Sequence, residues 1–567
     1  MTDTAQDSRL LHAVQSLRGA VEAARLPLDV PGATDARRSQ SSLLRQLDDY
    51  VIPRLAALDA PLLAVVGGST GAGKSTLVNS IVGHVVSRSG VLRPTTRASV
   101  LVHHPEDERW FTGTRVLPGL GRLTGAEGPD DDPSSVRLVA SDALPPGLAL
   151  LDAPDIDSVV EANRDLARQL LSAADLWLFV TTAARYADAV PWDLLREASD
   201  RGTSVAIVLD RVPPEAMEEV RGHLASMLAE QGLGTAPVFT VVETALVNGL
   251  LPETEIGRLR SWLQSLAQDA KARATVIKRT LTGALDSLGD RAGLLAAATA
   301  QQENAIEGLR ASAATAYADA LAGVSEGMSD GSLLRGEVLA RWQEFVGTGE
   351  FLRQIEAGVS KLRDRVTAFF RGRQVPSEDL GEALQTGAAA LLVSHSQGAA
   401  SAAARRWRSL PGGPALLERH PELAKTTPGS DAAVERLVRD WQGGVLELVR
   451  SEAGGRRNTA RVLAFGVNGI AVMLMLLTFS ATAGLSGAEI GIAGGSAVLA
   501  QRLLEAVFGD QAVRELAAKA RRDLLARTEA LYAQERSRFD AALDDVRVDP
   551  EAAARLSSAA RAVETAR

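Results

Sequence analysis

The 567-residue sequence contains no cysteine. That absence removes disulfide bonds, thiolate zinc sites and cysteine nucleophiles together. Aromatic residues make up only 4% against 46% hydrophobic residues overall. Alanine, leucine and valine must therefore do most of the packing, which suits long helices. There is no basic excess either: 61 Lys and Arg face 70 Asp and Glu, for a formal net charge of −9. A dedicated nucleic-acid binder normally carries a basic footprint able to release counterions, so no nucleic-acid partner is expected. The histidines offer one cluster, His103-His104, which reads as a strand end rather than a ligand pair. The first residues, MTDTAQDSRLL, lack the basic-then-apolar order of a secretory signal, so a cytoplasmic start is expected.

At this length more than one hydrophobic core is expected. Residues 1–60 carry apolar positions at helical spacing, broken between Pro27 and Gly32, and read as helices joining a later bundle. From 61 to 250, the short apolar runs PLLAVVG, ASVLVHH, VRLVA, LALLD, DLWLFV, SVAIVLD and PVFTVV alternate with helical patterns. Runs buried on both faces belong to a mainly parallel sheet with helices on both sides, an α/β architecture. Trp177, in DLWLFV, reads as a core residue of that sheet. An acidic loop, GAEGPDDDPSS, interrupts the alternation at 125–135.

Residues 251–455 lose the strand signal. Ile256, Leu259, Leu263, Leu266, Ala270, Ile277, Leu281, Leu285 and Leu288 follow helical periods, predicting a helical stalk or bundle. Residues 456–508 form a hydrophobic stretch. Val462 to Gly484 contains no charge and would reach ~34 Å as a helix, enough to cross a hydrocarbon core of ~30 Å. Ile490 to Val507 is weaker, because Gln501, Arg502 and Glu505 interrupt it. Basic flanks, Arg456, Arg457 and Arg461 before and Arg502, Arg514, Lys519, Arg521 and Arg522 after, predict a hairpin entered from the cytoplasmic face with both termini on that side. Gly487, Gly491 and Gly495 place small residues on one helical face. The lipid bilayer is thus the expected partner of residues 462–507; the alternative is a buried helix pair inside a soluble bundle. Residues 509–567 resume an amphipathic pattern and are expected to return along the stalk. The basic-aromatic segments FFRGR, 369–373, and RRWR, 405–408, are either lipid contacts or solvated helix ends.

The most specific signal is AVVGGSTGAGKSTLVNSIVG, residues 64–83. Gly68, Gly73, Lys74 and Ser75 satisfy G-x-x-x-x-G-K-[ST] between a strand and a helix. Backbone N–H groups of Ser69, Thr70, Gly71, Ala72, Gly73 and Thr76 are placed to wrap phosphates, Lys74 to reach the outer ones, and Ser75 to ligate Mg2+. Asp152, ending the run LALLD, is placed to hold the same ion. In RPTTR, Thr95 or Thr96 stands about twenty residues after Ser75, where a threonine can close over the metal when a γ-phosphate is present.

In this order, GGSTGAGKST, RPTTR, LLDAPD and AIVLDRV resemble the GTPase motifs of the dynamin superfamily, especially bacterial dynamin-like proteins. The likeness is close over about 190 residues and extends beyond them only by layout, the late hairpin being similar to the membrane-touching paddle of that group. It implies an α/β P-loop GTPase domain joined to a helical stalk that carries a hydrophobic hairpin. It further implies GTP and GDP as ligands with Mg2+, Lys74, Thr95, Thr96 and Asp152 as catalytic residues, and membrane remodelling as output. Pairing through nucleotide domains, with a second copy or a paralogous partner, is also implied.

Three departures qualify that likeness. Asp155 stands where the family's third motif has the glycine whose amide senses the γ-phosphate, and a carboxylate there repels phosphate unless turned away or screened. The guanine-selecting [NT]-K-x-D is replaced by Asp210-Arg211-Val212-Pro213, without a final carboxylate; Asp210 or Glu215 are the available substitutes. Thr70 occupies the position where dynamins carry Gln or Arg to stabilise transition-state charge, leaving Arg93 and Arg97 as candidates. Two other classes stay open: an ATP-driven transport component, opposed by the absence of an LSGGQ-like signature, and a low-turnover nucleotide-binding membrane scaffold.

Overall fold

The computed structural model describes residues 2–87, 98–125, 134–158, 161–200, 202–328, 377–453 and 510–567. The chain divides into two compact units, one of Met1–Leu26, Gly32–Gln301 and Val548–Arg567, the other of Pro27–Pro31 and Gln302–Arg547.

In the first unit each apolar run of the 61–250 region becomes a strand. The strands are β1 (Leu62–Gly68), β2 (Ser99–His103), β3 (Gly121–Leu123), β4 (Ser135–Ala140), β5 (Leu148–Asp152), β6 (Leu176–Thr182), β7 (Ser204–Val212) and β8 (Val238–Val242). They form one sheet in the order β3-β4-β2-β5-β1-β6-β7-β8. Neighbours are parallel except β2 and β5, which run antiparallel with Leu101 opposite Leu151. The sheet is therefore mixed. An apolar run reads the same in either direction, so its pattern carries no sign of this reversal. Nor does a pattern announce β3, a short edge strand without a buried residue.

Alternation along β1 divides the packing into two layers. Leu63 and Val65 face a core shared with Leu166 and Leu170 of the helix Glu161–Ser172, Leu195, Leu224 and Leu228. Leu62, Ala64 and Val66 face the opposite core, shared with Leu77, Val78 and Ile81 of Lys74–Val82 and with Ile256, Leu259 and Leu263 of Glu253–Gln268. Successive strand side chains point to opposite faces, so a sheet covered twice needs apolar residues at both. Trp177 is buried in the first of these cores, and His103 is buried against the Phe111 ring at 5.4 Å between centroids.

A third core joins Leu10, Val14, Leu17 and Val21 of the first helix, Leu43 and Leu47, Leu281, Leu285 and Leu288, and Leu556 and Val563 of the last helix, Ala552–Ala566. Their spacing of three and four is the stripe a packed helix requires. Arg54 ties this layer to the sheet. Its Nε donates to Asp175 Oδ1 at 2.9 Å and its Nη2 pairs with Asp175 Oδ2, while Asp175 Oδ2 also accepts from the Leu63 amide at 2.8 Å.

The second unit is helical among its described residues. It contains the end of the 58-residue helix Ala270–Gly327, then Ser377–Ser409, Gly413–Arg419, Ser430–Ala453 and Asp510–Asp544. Trp407 is fully buried here, edge-on to Phe539 and donating from Nε1 to Leu309 O at 2.9 Å. Arg406 pairs with Asp319 at 2.9 Å. Half of the RRWR segment thus packs and pairs within the unit, and its tryptophan is not a lipid contact.

Among the described residues no helix is long and apolar enough to cross a membrane. The expected hairpin, 456–508, lies outside them, as does FFRGR.

Candidate functional site

β1 ends in Gly67-Gly68, and the chain turns through Ser69 to Gly73 before the helix Lys74–Val82 begins. A Cβ on Gly68 would stand 2.0 Å from the Val180 carbonyl of β6, so only glycine lets the two strands end side by side. Gly71 (φ 74°) and Gly73 (φ 87°) take left-handed conformations that fold the turn back on itself. Ala72 N–H donates to Ser69 O at 3.1 Å, and Leu77 N–H to Gly73 O at 2.8 Å, starting the helix. Lys74, the first helical residue, is thereby carried back under its own loop. Its buried ammonium donates to Gly68 O at 2.9 Å, Ser69 O at 3.1 Å and Asp155 Oδ1 at 2.5 Å.

Ser75 and Asp152 meet one residue further on. Ser75 Oγ donates to Asp152 Oδ2 at 2.6 Å, and Ser87 Oγ donates to the same oxygen at 2.7 Å. Burial pushes the Asp152 carboxyl up, partly offset by these two hydroxyls. Asp152 Oδ1 is buried and has no hydrogen-bond partner among the described residues. An ionised oxygen without a partner is costly in a buried setting, and a divalent cation beside it removes that cost. The donors at hand, a carboxylate oxygen and a serine hydroxyl, are the hard oxygens that Mg2+ takes, so the site fits that ion. No group of three or more His, Cys, Asp or Glu able to hold a metal occurs among the described residues.

Two further side chains grip the loop at Thr70. Asp157 Oδ1 accepts from the Thr70 amide at 2.6 Å, and Arg185 Nη1 donates to the Thr70 carbonyl at 3.0 Å. Arg185 also pairs with Asp157 Oδ2 and with Asp188 Oδ2, each at 2.8 Å. Burial pushes the Asp157 carboxyl up, but hydrogen bonds from Thr70 and Arg185 together outweigh it and hold the group below its ordinary value. Asp157, Arg185 and Ser87 are not among the residues that the sequence motifs single out. Asp157 was the accessible one, as the third acid of DAPDID. Ser87 is held by Asn79, whose Oδ1 accepts from the Ser87 amide at 2.9 Å and whose Nδ2 donates to the Ser87 carbonyl at 2.6 Å. Asn79 lies one helical turn beyond Ser75 and so was a readable hint. Arg185 offered no local signal.

At the other side of the loop, Asp210 lies at the end of β7 opposite Thr182. Its Oδ2 is 2.5 Å from where a Cβ of Gly73 would be, so a larger residue at 73 would have to turn this carboxylate aside. Burial pushes the Asp210 carboxyl up, against opposing contributions from Arg211. Arg211 is exposed, has φ 53°, and places Nε 3.9 Å from Asp210 Oδ2. Glu243, just past β8, donates its amide to Val212 O at 3.1 Å and adds negative charge near Asp210. Thus Gly68 to Ser75, with Thr76 half-buried behind them, Asp152, Asp155 and Asp210 with its neighbour Arg211 gather at the C-terminal ends of the interior strands β1, β5 and β7. Thr95, Thr96, Arg93 and Arg97 lie outside the described residues.

No protein-family model matches the chain, and no curated protein sequence matches it. Among solved structures it is similar to one described as an oligomerised bacterial dynamin pair that provides a mechanism for long-range sensing and tethering of membranes. That similarity has 11% identity, covers 93% of this chain and 95% of the other, and gives a TM-score of 0.41. It is also similar to the LeoA bacterial dynamin GTPase from ETEC, at 11% identity over 99% of this chain and 98% of that one, TM-score 0.25. Toc33 from Arabidopsis thaliana, in complex with Mg2+ and GMPPNP, matches at 15% identity over 41% of this chain and 93% of its own, TM-score 0.24.

Proposed function

We propose that this chain is a Mg2+-dependent GTPase of the dynamin type. The carrying observation is the meeting of Lys74, Ser75 and Asp152 around the turn 68–73: a buried ammonium, a hydroxyl and a carboxylate with one unpartnered oxygen. Amides of the turn and of the helix start bind phosphate oxygens, and Lys74 draws the outer phosphates toward the sheet. Ser75 and Asp152 would hold the metal, which would supply charge neutralisation to the phosphates. On the motif resemblance, Thr95 or Thr96 would complete that metal site. Asp210 and Arg211 stand at the base end, and guanine is favoured on the motif resemblance alone.

The remainder of the reading rests on sequence. Residues 462–507 insert into the cytoplasmic face of a bilayer, nucleotide domains pair with a second copy or a paralogue, and the stalk carries the motion between them. A second reading, nucleotide binding with little turnover, is favoured by the Asp155 carboxylate seated on Lys74. Equilibrium competition between GTP and ATP, followed by turnover with and without phosphatidylglycerol vesicles, separates these. GTP hydrolysis accelerated by vesicles and abolished in Lys74→Ala supports the first reading. Binding without turnover supports the second, and full nucleotide occupancy in Lys74→Ala overturns both.

A further inference from the structure

Resting on that reading, we infer that Asp155 determines phosphate-state specificity: its carboxylate takes the place of a γ-phosphate oxygen on Lys74 and biases the site toward nucleoside diphosphate. An ammonium has three protons to donate and no more. In this structure all three are engaged, by Gly68 O, Ser69 O and Asp155 Oδ1. The two carbonyls belong to the turn itself and cannot leave without refolding it. Asp155 is the one partner that can be displaced by side-chain rotation.

The lysine of such a turn serves the β- and γ-phosphates, whereas the turn's amides cradle the inner ones. A diphosphate presents no γ-oxygens, and its β-phosphate is also held by the turn's amides, so the Asp155–Lys74 pair can stay in place. A triphosphate disturbs that pair. Its terminal oxygens compete with Asp155 for the same proton, and the backbone that carries the displaced carboxylate is held in place. The backbone around it is tied to the end of β1, with Ala153 N–H donating to Val66 O at 3.1 Å and Ile156 N–H to Gly68 O at 3.4 Å. Asp157, two residues on, is fixed by Thr70 and Arg185. The displaced negative charge consequently stays beside the terminal phosphate, and like charges held close in a partly buried site repel.

The test measures equilibrium affinities for GDP and for a non-hydrolysable GTP analogue, with Mg2+, in the unaltered chain, Asp155→Gly and Asp155→Asn. The ratio of triphosphate to diphosphate affinity is expected to rise about tenfold or more in Asp155→Gly, and by a smaller factor in Asp155→Asn, whose amide oxygen can still accept from Lys74. Asp155→Asn preserves the side chain's shape, so it remains informative if the glycine variant folds poorly. An unchanged ratio in Asp155→Asn and in a folded Asp155→Gly overturns the inference. If Lys74→Ala abolishes binding of both nucleotides while the Asp155 variants leave the ratio untouched, only this inference falls. If Lys74→Ala binds normally, the underlying site assignment falls with it.

Discussion

Ser75 and Asp152 are separated by 77 positions, yet the hydroxyl of one lies 2.6 Å from the carboxylate of the other. Both Ser75 and Ser87 donate to Oδ2, leaving Oδ1 as the unpartnered atom. Asp152→Asn can therefore keep both hydroxyl contacts on its amide oxygen while losing the charge. The Mg2+-dependent gain in nucleotide affinity is expected to fall by about 10- to 100-fold. The unfolding midpoint without metal should hold or rise, because burial no longer opposes an ionised group. Titrating nucleotide with Mg2+ and with EDTA reads the first effect and thermal unfolding the second. An unaltered Mg2+ dependence would remove Asp152 from the metal site.

Arg54 and Asp175 form a buried pair beneath the first strand, and Arg54 also donates to Ala60 O and Pro61 O, each at 3.1 Å. Arg54→Met leaves the Asp175 charge unpaired, which should cost about 3–5 kcal/mol in a denaturant titration. Adding Asp175→Asn should recover part of that loss, since the amide is neutral and its oxygen still accepts from the Leu63 amide. A single variant within about 1 kcal/mol of the unaltered chain would show the pair to be dispensable.

Asp49 gives stability a pH dependence. Burial pushes its carboxyl from the ordinary 3.8 up to about 6, only partly opposed by the hydrogen bond from Gln169. A folded state whose acid has a raised pKa holds more protons than the unfolded chain between those values. Its contribution is fully present below pH 4 and is lost as pH rises through 6. Asp49→Asn should thus stabilise the protein above pH 6, by an amount that the distance from 3.8 to about 6 limits to about 3 kcal/mol. The gain should vanish below pH 4. Unfolding free energies from pH 4 to 8 for both chains test this, and parallel curves would contradict it.

Much of the α/β unit was readable because its signals are local. A run such as LLAVVGG is apolar on both faces and ends in glycines, so strand and turn follow from adjacent residues. Lys74 and Ser75 follow that turn at fixed spacing. The antiparallel pairing of β2 with β5 was not readable, because direction is set by where the connecting chain enters the sheet. Arg185 was hidden for a related reason: only the neighbouring ends of β1 and β6 bring it to Thr70. Asp155 departs from the family's motif in the sequence itself, but its seat on Lys74 depends on the path of the loop after β5.

From its own letters the chain determined where a glycine-rich turn begins, which runs are apolar on both faces, and which segments repeat with helical period. Those properties depend on neighbours within a few residues. Only the tertiary structure decided that three acids of DAPDID are shared out to Ser75, Lys74 and Thr70. Hydrogen bonds and ion pairs form over a few ångströms of space, and residues far apart in order come within that range only after the sheet has packed.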